Sequence, residues 1–224
     1  MIRFPLFLLI GLFPLLSFSQ NKETRDVSNF SKIYIGGAFN VYLSQGNSYE
    51  VIVEATSEDM ENIVAEVSGN KLQVKTRKGA RNVKGDIYLT FKDIDEIHSA
   101  GASNVKSETV IKAHNFGVKS SGAGEMSLEL EVDDIKISSS GASTLTLSGK
   151  AGNQDISLSG AGSIKAFDLV GKSASITASG AGNIRVNVTG TLNVRSSGAS
   201  SVRYKGSPEV ESIKISGAGS VNKE

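Results

Sequence analysis

Acidic residues cluster twice in this chain of 224 residues, as Asp93, Asp95 and Glu96 and again as Asp133 and Asp134. Paired carboxylates about 5 to 9 Å apart are the equipment of glycoside hydrolysis, one serving as acid and the other as base or nucleophile. Both clusters, however, lie at the starts of alternating apolar runs, Ile94 to Ile97 and Ile135 to Ile137, where solvated carboxylates are ordinary. Asp155 and Asp168 stand alone. His98 alternates with Ile97 and is expected to point outward, while His114 falls in a connection beside Asn115. With two histidines, no cysteine and no ligand spacing, the chain predicts no metal site.

Serine and glycine are abundant, but their arrangement excludes several chemistries. The Ser-Gly-Ala phrases are not nucleophile elbows, because no helix pattern follows them. They carry no aspartate, so they do not read as calcium-binding β-roll repeats. They open no helix in a βαβ unit, so they are not nucleotide loops. Outward positions such as Thr146, Ser148, Ser157, Thr177 and Ser179 raise a different idea, a flat hydroxyl lattice for a regular surface. Lys136, Lys165, Arg185, Arg195, Arg203 and Lys214 interrupt similar positions, which favours a generic solvated face. The residues therefore predict no catalytic site and no cofactor.

The elements behind these residues are written in a repeat. The phrase S-G-A-G, or a close variant, returns seven times, with glycines at Gly101, Gly122, Gly141, Gly160, Gly180, Gly198 and Gly217. Their spacings by subtraction are 21, 19, 19, 20, 18 and 19. A fixed period of this length marks a solenoid whose coils bury their apolar faces only by stacking. Alternating pairs flank each phrase: Ile135 and Ile137, Ile156 and Leu158, Ile176 and Ala178, Leu192 and Val194, Ile213 and Ile215 before it. Met126 and Leu128, Leu145 and Leu147, Ile164 and Ala166, Ile184 and Val186, Val202 and Tyr204 come after it. Period two puts these inside. The prediction is an all-β, right-handed parallel β-helix with coils of about 19–20 residues. The seven glycines are expected at corners needing positive φ, with the alanines tucked inside. Ser120, Ser139, Ser159, Ser179, Ser197 and Ser216 are expected to form one column, and Gly149, Gly171, Gly190 and Gly206 to mark a second turn.

Residues 27–95 read as a β-rich lead-in to the repeats of residues 96–224. Ile33 to Ile35, Val41 to Leu43, Tyr49 to Ala55, Lys71 to Thr76 and Asp86 to Phe91 are strand-like, with Gly46-Asn47 and Gly69-Asn70 as turns. Thr56 before Asp59, with Met60, Ile63, Val64 and Val67 at helical spacing, predicts one capped helix over Ser57 to Val67.

Residues 1–19 read as a signal peptide: Arg3, the apolar run Phe4 to Leu16, then small Ser17 and Ser19 before Gln20. The run is shorter than the roughly 20 residues a bilayer span needs. Residues 20–224 then form a single domain. Without Arg3 they hold 23 basic and 23 acidic residues, which recommends neither nucleic acid nor an anionic membrane as partner. The absence of cysteine excludes a lipid-anchored cysteine and disulfides.

The lead-in N-F-S-K-I-Y-I-G-G-A-F-N-V-Y-L (Asn29 to Leu43), the stretch G-N-K-L-Q-V (Gly69 to Val74) and the S-G-A-G phrases together resemble the auto-transporter adhesin, head GIN domain family, over roughly Val27 to Val221. The resemblance implies a right-handed β-helical fold and export by bacteria of the Bacteroides and Flavobacterium kind. It supplies no catalytic residues. Where Gly-Ile-Asn is expected, the chain reads Ala38-Phe39-Asn40, so Asn40 and the following Val41 alone match. The expected function is non-enzymatic and adhesin-like, at a protein or glycan surface, from the periplasm or cell surface. A periplasmic structural role and a carbohydrate-active enzyme are the alternatives. The sequence stops directly after the seventh phrase, without a membrane barrel, so it is not expected to act as an autotransporter by itself. An open final coil predicts self-association through that end.

Overall fold

Strand-forming alternation dominates the chain, and strands dominate the structure. The computed structural model describes residues 20–224, and the candidate signal peptide lies outside the described residues. Four strands, β1 (Asn21–Arg25), β2 (Lys32–Gly36), β3 (Asn40–Gln45) and β4 (Glu50–Ala55), precede helix α1 (Ser57–Met60). Then come β5 (Ile63–Ser68), β6 (Lys71–Thr76), β7 (Asp86–Phe91), β8 (Glu96–Ser99) and β9 (Asn104–Ser107). Long strands follow: β10 (Ile111–Ser120), β11 (Glu125–Ser139), β12 (Thr144–Leu158), β13 (Ser163–Ala178) and β14 (Asn183–Gly198). The chain closes with β15 (Ser201–Lys205), β16 (Glu209–Gly217) and β17 (Ser220–Lys223).

Strands β10 to β14 stack in parallel, each residue beside its counterpart one coil away. Ile137, Ile156, Ile176 and Val194 are such counterparts, and all are buried. Each contributes about 1.5–3 kcal/mol by leaving water. The result is a β-solenoid filled by aliphatic ladders. Each long strand bends near its middle, with register shifts where β12 meets β13 and where β13 meets β14. At Asp133-Asp134 two successive residues face solvent, the alternation slips, and Ile135 returns to the interior. The same slip recurs at Gly152-Asn153, Lys172-Ser173 and Gly190-Thr191. Glycine marks this bend less well than expected, since Gly149 and Gly171 precede it and Gly206 follows β15.

The S-G-A-G phrases form the other bend, with the inside and outside assigned differently from the expectation. The residue two before each corner glycine points inward, so Ser99, Ser120, Ser139 and Ser196 are buried. The residue immediately before it points outward, so Ser140, Ser159, Ser179, Ser197 and Ser216 are exposed. The single serine column therefore divides into two. The alanines, from Ala102 to Ala199, are exposed rather than tucked inside. Their N–H groups continue the ladder, as when Ala123 N donates to Gly101 O at 3.2 Å and Ala142 N to Gly122 O at 3.1 Å. The inner small residue is the one after alanine: Ser103, Gly124, Ser143, Gly162, Gly182 or Ser200. Ser103 Oγ and Ser200 Oγ donate to the carbonyls of Gly37 and Gly180, which keeps these buried hydroxyls bonded.

Strands β2 and β3 belong to the solenoid itself. They pair in parallel with β8 and β9 on one side and with β6 and β7 on the other. Gly37 and Gly101 are stacked corners, joined by Ala102 N donating to Gly37 O at 2.8 Å. Spatial order here departs from chain order, because the later β6–β7 coil lies outside β2–β3. Antiparallel strands then cover that end: β5 against β6, β4 against β7, and β1 against β4. The helix is one turn, not the eleven residues expected. Thr56 caps it by accepting from Asp59 N at 3.2 Å, but Ile63 onward joins β5. Alternation won there because Lys71 to Thr76 offers a hairpin partner across Gly69.

At the opposite end, β16 and β17 pair with β14 and β15. Ile213 and Ile215 alternate like their predecessors yet remain 41% and 43% exposed, because no described coil covers them.

Candidate functional site

The mid-strand bend sets side chains from successive coils in a column: Asn115, Asp134, Asn153, Ser173 and Thr191. Asn153 Nδ2 donates to Asp134 Oδ1 at 2.6 Å, and Ser173 Oγ donates to Asn153 Oδ1 at 2.6 Å. Beside this column runs a second, in which Gly117 leaves a gap between Glu96 and Lys136. Together they bound an open groove of about 540 Å³ that gathers Asp95, Glu96, Asp134 and Asp155. An adjoining hollow of about 580 Å³ holds Asp93, Glu131, Asp133 and His114. Stacking thus unites two acidic clusters that are far apart in sequence. Asp168, by contrast, is elsewhere.

Several of these carboxylates have a cation beside them. Glu96 pairs with Lys119 at 2.7 Å, Asp155 with Lys136 at 3.9 Å, and Glu131 with Lys112 at 2.8 Å. Lys112 holds the Glu131 carboxyl below the ordinary range, chiefly by its hydrogen bond. Asp133 meets His114 Nδ1 at 2.6 Å, with its side chain 73% exposed. A glycosidase acid must keep its proton near neutrality, which burial in an apolar pocket achieves. The open groove gives no such burial. Among the described residues, no three histidine, aspartate or glutamate side chains converge as a metal site would require.

A second surface lies on the strand segment before the S-G-A-G corner. Outward Ser138, Ser157 and Thr177 form one row, and Ser140, Ser159 and Ser179 form another across a shallow hollow of about 350 Å³. Thr146 and Ser148 are on a different face. Lys119 and Arg195 bound the first row, so the hydroxyl lattice spans three coils. His98 sits at its edge, with Nε2 3.1 Å from Ser121 Oγ and its ring edge-on to Tyr34 at 5.3 Å. Burial lowers the His98 pKa; Glu96 opposes this, and Lys119 and Lys71 reinforce it.

A third feature, which the sequence reading missed, is the stacked pair Tyr42 and Tyr88, whose rings are 5.0 Å apart at 17°. They are 46 residues apart and meet because β3 pairs with β7. Lys22 Nζ lies 5.5 Å from the Tyr88 ring. Burial, then the charges of Glu54 and Asp86, push the Tyr88 phenol up. The signal that existed was the matching alternation of Val41-Tyr42-Leu43 and Ile87-Tyr88-Leu89.

These surfaces sit on a fold that known proteins share. A family model described as "Putative auto-transporter adhesin, head GIN domain" matches residues 29–208. The chain belongs to that family. Among solved structures, a "putative adhesin" from Bacteroides fragilis superposes with a TM-score of 0.87 at 24% identity, covering 93% of this chain and 98% of that one. A "putative lipid binding protein" from Parabacteroides distasonis gives 0.75 at 20% identity, covering 93% and 98%. A "putative adhesin" from Parabacteroides merdae gives 0.71 at 20%, covering 93% and 97%. At these identities the likeness establishes the head GIN solenoid and nothing about ligands. No curated protein matches the chain. Among the described residues, no helix is long and apolar enough to cross a membrane.

Proposed function

We propose that this head GIN domain protein is an exported, non-enzymatic component of the cell envelope that binds a partner along the faces of its solenoid, as an adhesin does. Family membership supports the adhesin-like reading. The apolar stretch Phe4 to Leu16 ahead of Ser17 and Ser19 supports export. One observation carries the non-enzymatic part. Of the carboxylates that the fold gathers in its open groove and the adjoining hollow, Glu96, Asp155 and Asp133 have basic neighbours in Lys119, Lys136 and His114, and Asp134 accepts from Asn153, as on a solvated recognition face. The partner class is a protein or glycan surface.

Protease treatment of intact cells tests the location. Digestion of the native protein before lysis is the expected result. Digestion only after lysis would overturn the surface reading and favour a periplasmic structural role. Because Asp95, Glu96, Asp134 and Asp155 share one groove, the enzymatic reading is tested separately. Reducing-sugar release from polysaccharides, abolished in Asp134→Asn, would overturn the non-enzymatic reading.

A further inference from the structure

On the strand segment that follows each S-G-A-G corner, one outward position per coil forms a column along the solenoid. Its members, by register, are Lys106, Ser127, Thr146, Lys165, Arg185, Arg203 and Asn222. Three cations on consecutive coils thus stand directly opposite one another, about 4.8 Å apart in strand spacing. Like charges in that relation destabilise a sheet. On other faces Lys112 pairs with Glu131 and Lys119 with Glu96, and Lys106, three coils before Lys165 in this column, pairs with Glu108. Here, among the described residues, no carboxylate lies within 4.0 Å of Lys165, Arg185 or Lys205, and Arg203 reaches only Glu224 at 3.8 Å.

A register shift between Ala166 and Val170 places Phe167 beside this column. Asn187 Nδ2 fixes it by donating to Phe167 O at 3.1 Å. The Phe167 ring holds Lys205 Nζ 4.4 Å and Arg185 Cζ 5.9 Å from its centroid. That cation–π clamp orients two charges before any ligand arrives, which reduces the ordering cost of binding. Ser163, Asn183 and Ser201, two residues before each cation, form a parallel row of hydrogen-bonding side chains.

We propose that Lys165, Arg185, Arg203 and Lys205 form a track for an acidic polysaccharide, carboxylated or sulfated, lying along the solenoid axis. The proposal rests on the binding-protein reading above and specifies its ligand class. A glycan with one anionic group per sugar repeats at a length close to the strand spacing, so successive sugars meet successive cations while their hydroxyls face the Ser163–Asn183–Ser201 row. Single-stranded nucleic acid binds on series of aromatic rings, whereas this track has Phe167 alone and a lysine over it. A membrane surface is entered by apolar side chains, and the row beside these cations is polar.

Binding of residues 20–224 to immobilised alginate, dextran sulfate and neutral dextran tests the track. The expected result is salt-sensitive binding to alginate, dextran sulfate or both, and none to dextran; the two charged polymers separate carboxylate from sulfate as the source. Arg185→Gln/Arg203→Gln should weaken binding about tenfold or more, and Arg185→Glu/Arg203→Glu further, with melting temperatures no lower than the parent's, since both side chains are exposed and like-charge repulsion is relieved. Lys78→Gln/Lys84→Gln, exposed in the lead-in away from the track, should bind as the parent does. Failure to bind either acidic polymer, indifference to the Arg185 and Arg203 variants, or tighter binding to single-stranded DNA or phosphatidylglycerol vesicles would overturn the proposal. A protein that binds the polymer but resists protease on intact cells overturns only the surface reading. One that is digested on cells but ignores the polymers overturns only the track.

Discussion

Gly122 lies against Gly101 with no room for a side chain: a Cβ built on Gly122 would overlap the Gly101 carbonyl oxygen. The same clash with the preceding corner carbonyl meets Gly101, Gly141, Gly160 and Gly180. Positive φ is not the reason for these five, since among the seven phrase glycines only Gly198 and Gly217 adopt it, at +95° and +97°. Close backbone stacking selects glycine at most corners, and conformational freedom does so only at the last two.

The two reasons separate by substitution. Gly122→Ala should cost about 2 kcal/mol or more, because the rigid ladder must part to admit a methyl group. Gly79→Ala, at φ +93° with nothing within 4 Å of its Cβ, should cost about 1–2 kcal/mol from backbone strain alone. Urea unfolding compares them, and a smaller loss at Gly122 than at Gly79 would refute the clearance argument.

Gln154 occupies an interior position between Ile135 and Ala174 and is 2% exposed. Its Nε2 donates to Leu169 O at 3.3 Å, while its buried Oε1 has no partner. Gln154→Met conserves length and removes the unsatisfied acceptor, so stability should rise by about 1 kcal/mol. A lowered melting temperature would mean that the bond to Leu169 outweighs the orphan.

His98 has a depressed pKa, so the unfolded chain binds more protons between the folded value and about 6.5. Its contribution is present above that unfolded value and is lost as pH falls through the folded one. Stability should therefore rise with pH up to about 6.5. Replacing His98 by Gln should flatten that rise while Glu96, Lys119 and Lys71 keep their charges. Chemical denaturation at several pH values reads the difference, and identical slopes would remove His98 as its source.

The exposed Ile213 and Ile215 should make residues 20–224 associate through the β16 coil. Sedimentation velocity should show concentration-dependent assembly that Ile213→Ser/Ile215→Ser abolishes. A strict monomer at high concentration, or assembly unaffected by both changes, would sink this expectation.

Alternation made the interior legible: Leu145, Ile156, Ile176 and Val194 are all buried as their spacing required. It specifies a face but not a cover, which is why Ile213 and Ile215 match the pattern and stay exposed. Serine doublets such as Ser139-Ser140 hid the register, because a one-residue slip exchanges inside for outside. The parity relative to the corner glycine resolves them. The first corner was also concealed. Gly37-Ala38-Phe39-Asn40-Val41 parallels Gly101-Ala102-Ser103-Asn104-Val105, but no serine announces it. The cationic column was half visible, since Lys165, Arg185 and Arg203 recur at the repeat spacing. Phe167 and Lys205 join it through a shift in pairing that no periodicity encodes.

Because β6–β7 lies outside β2–β3 while β8–β9 lies inside it, the earliest coil is flanked on both edges by segments synthesised after it. Residues up to Ser107 therefore complete that end of the solenoid together. Local antiparallel hairpins such as β5–β6 form without long loop closure and suit such a seed. From that seed each later coil has one place to add, on the side away from β1, β4 and β5. If that seed starts folding, truncations from the C-terminus should shorten the solenoid coil by coil, whereas loss of the seed should prevent it from starting.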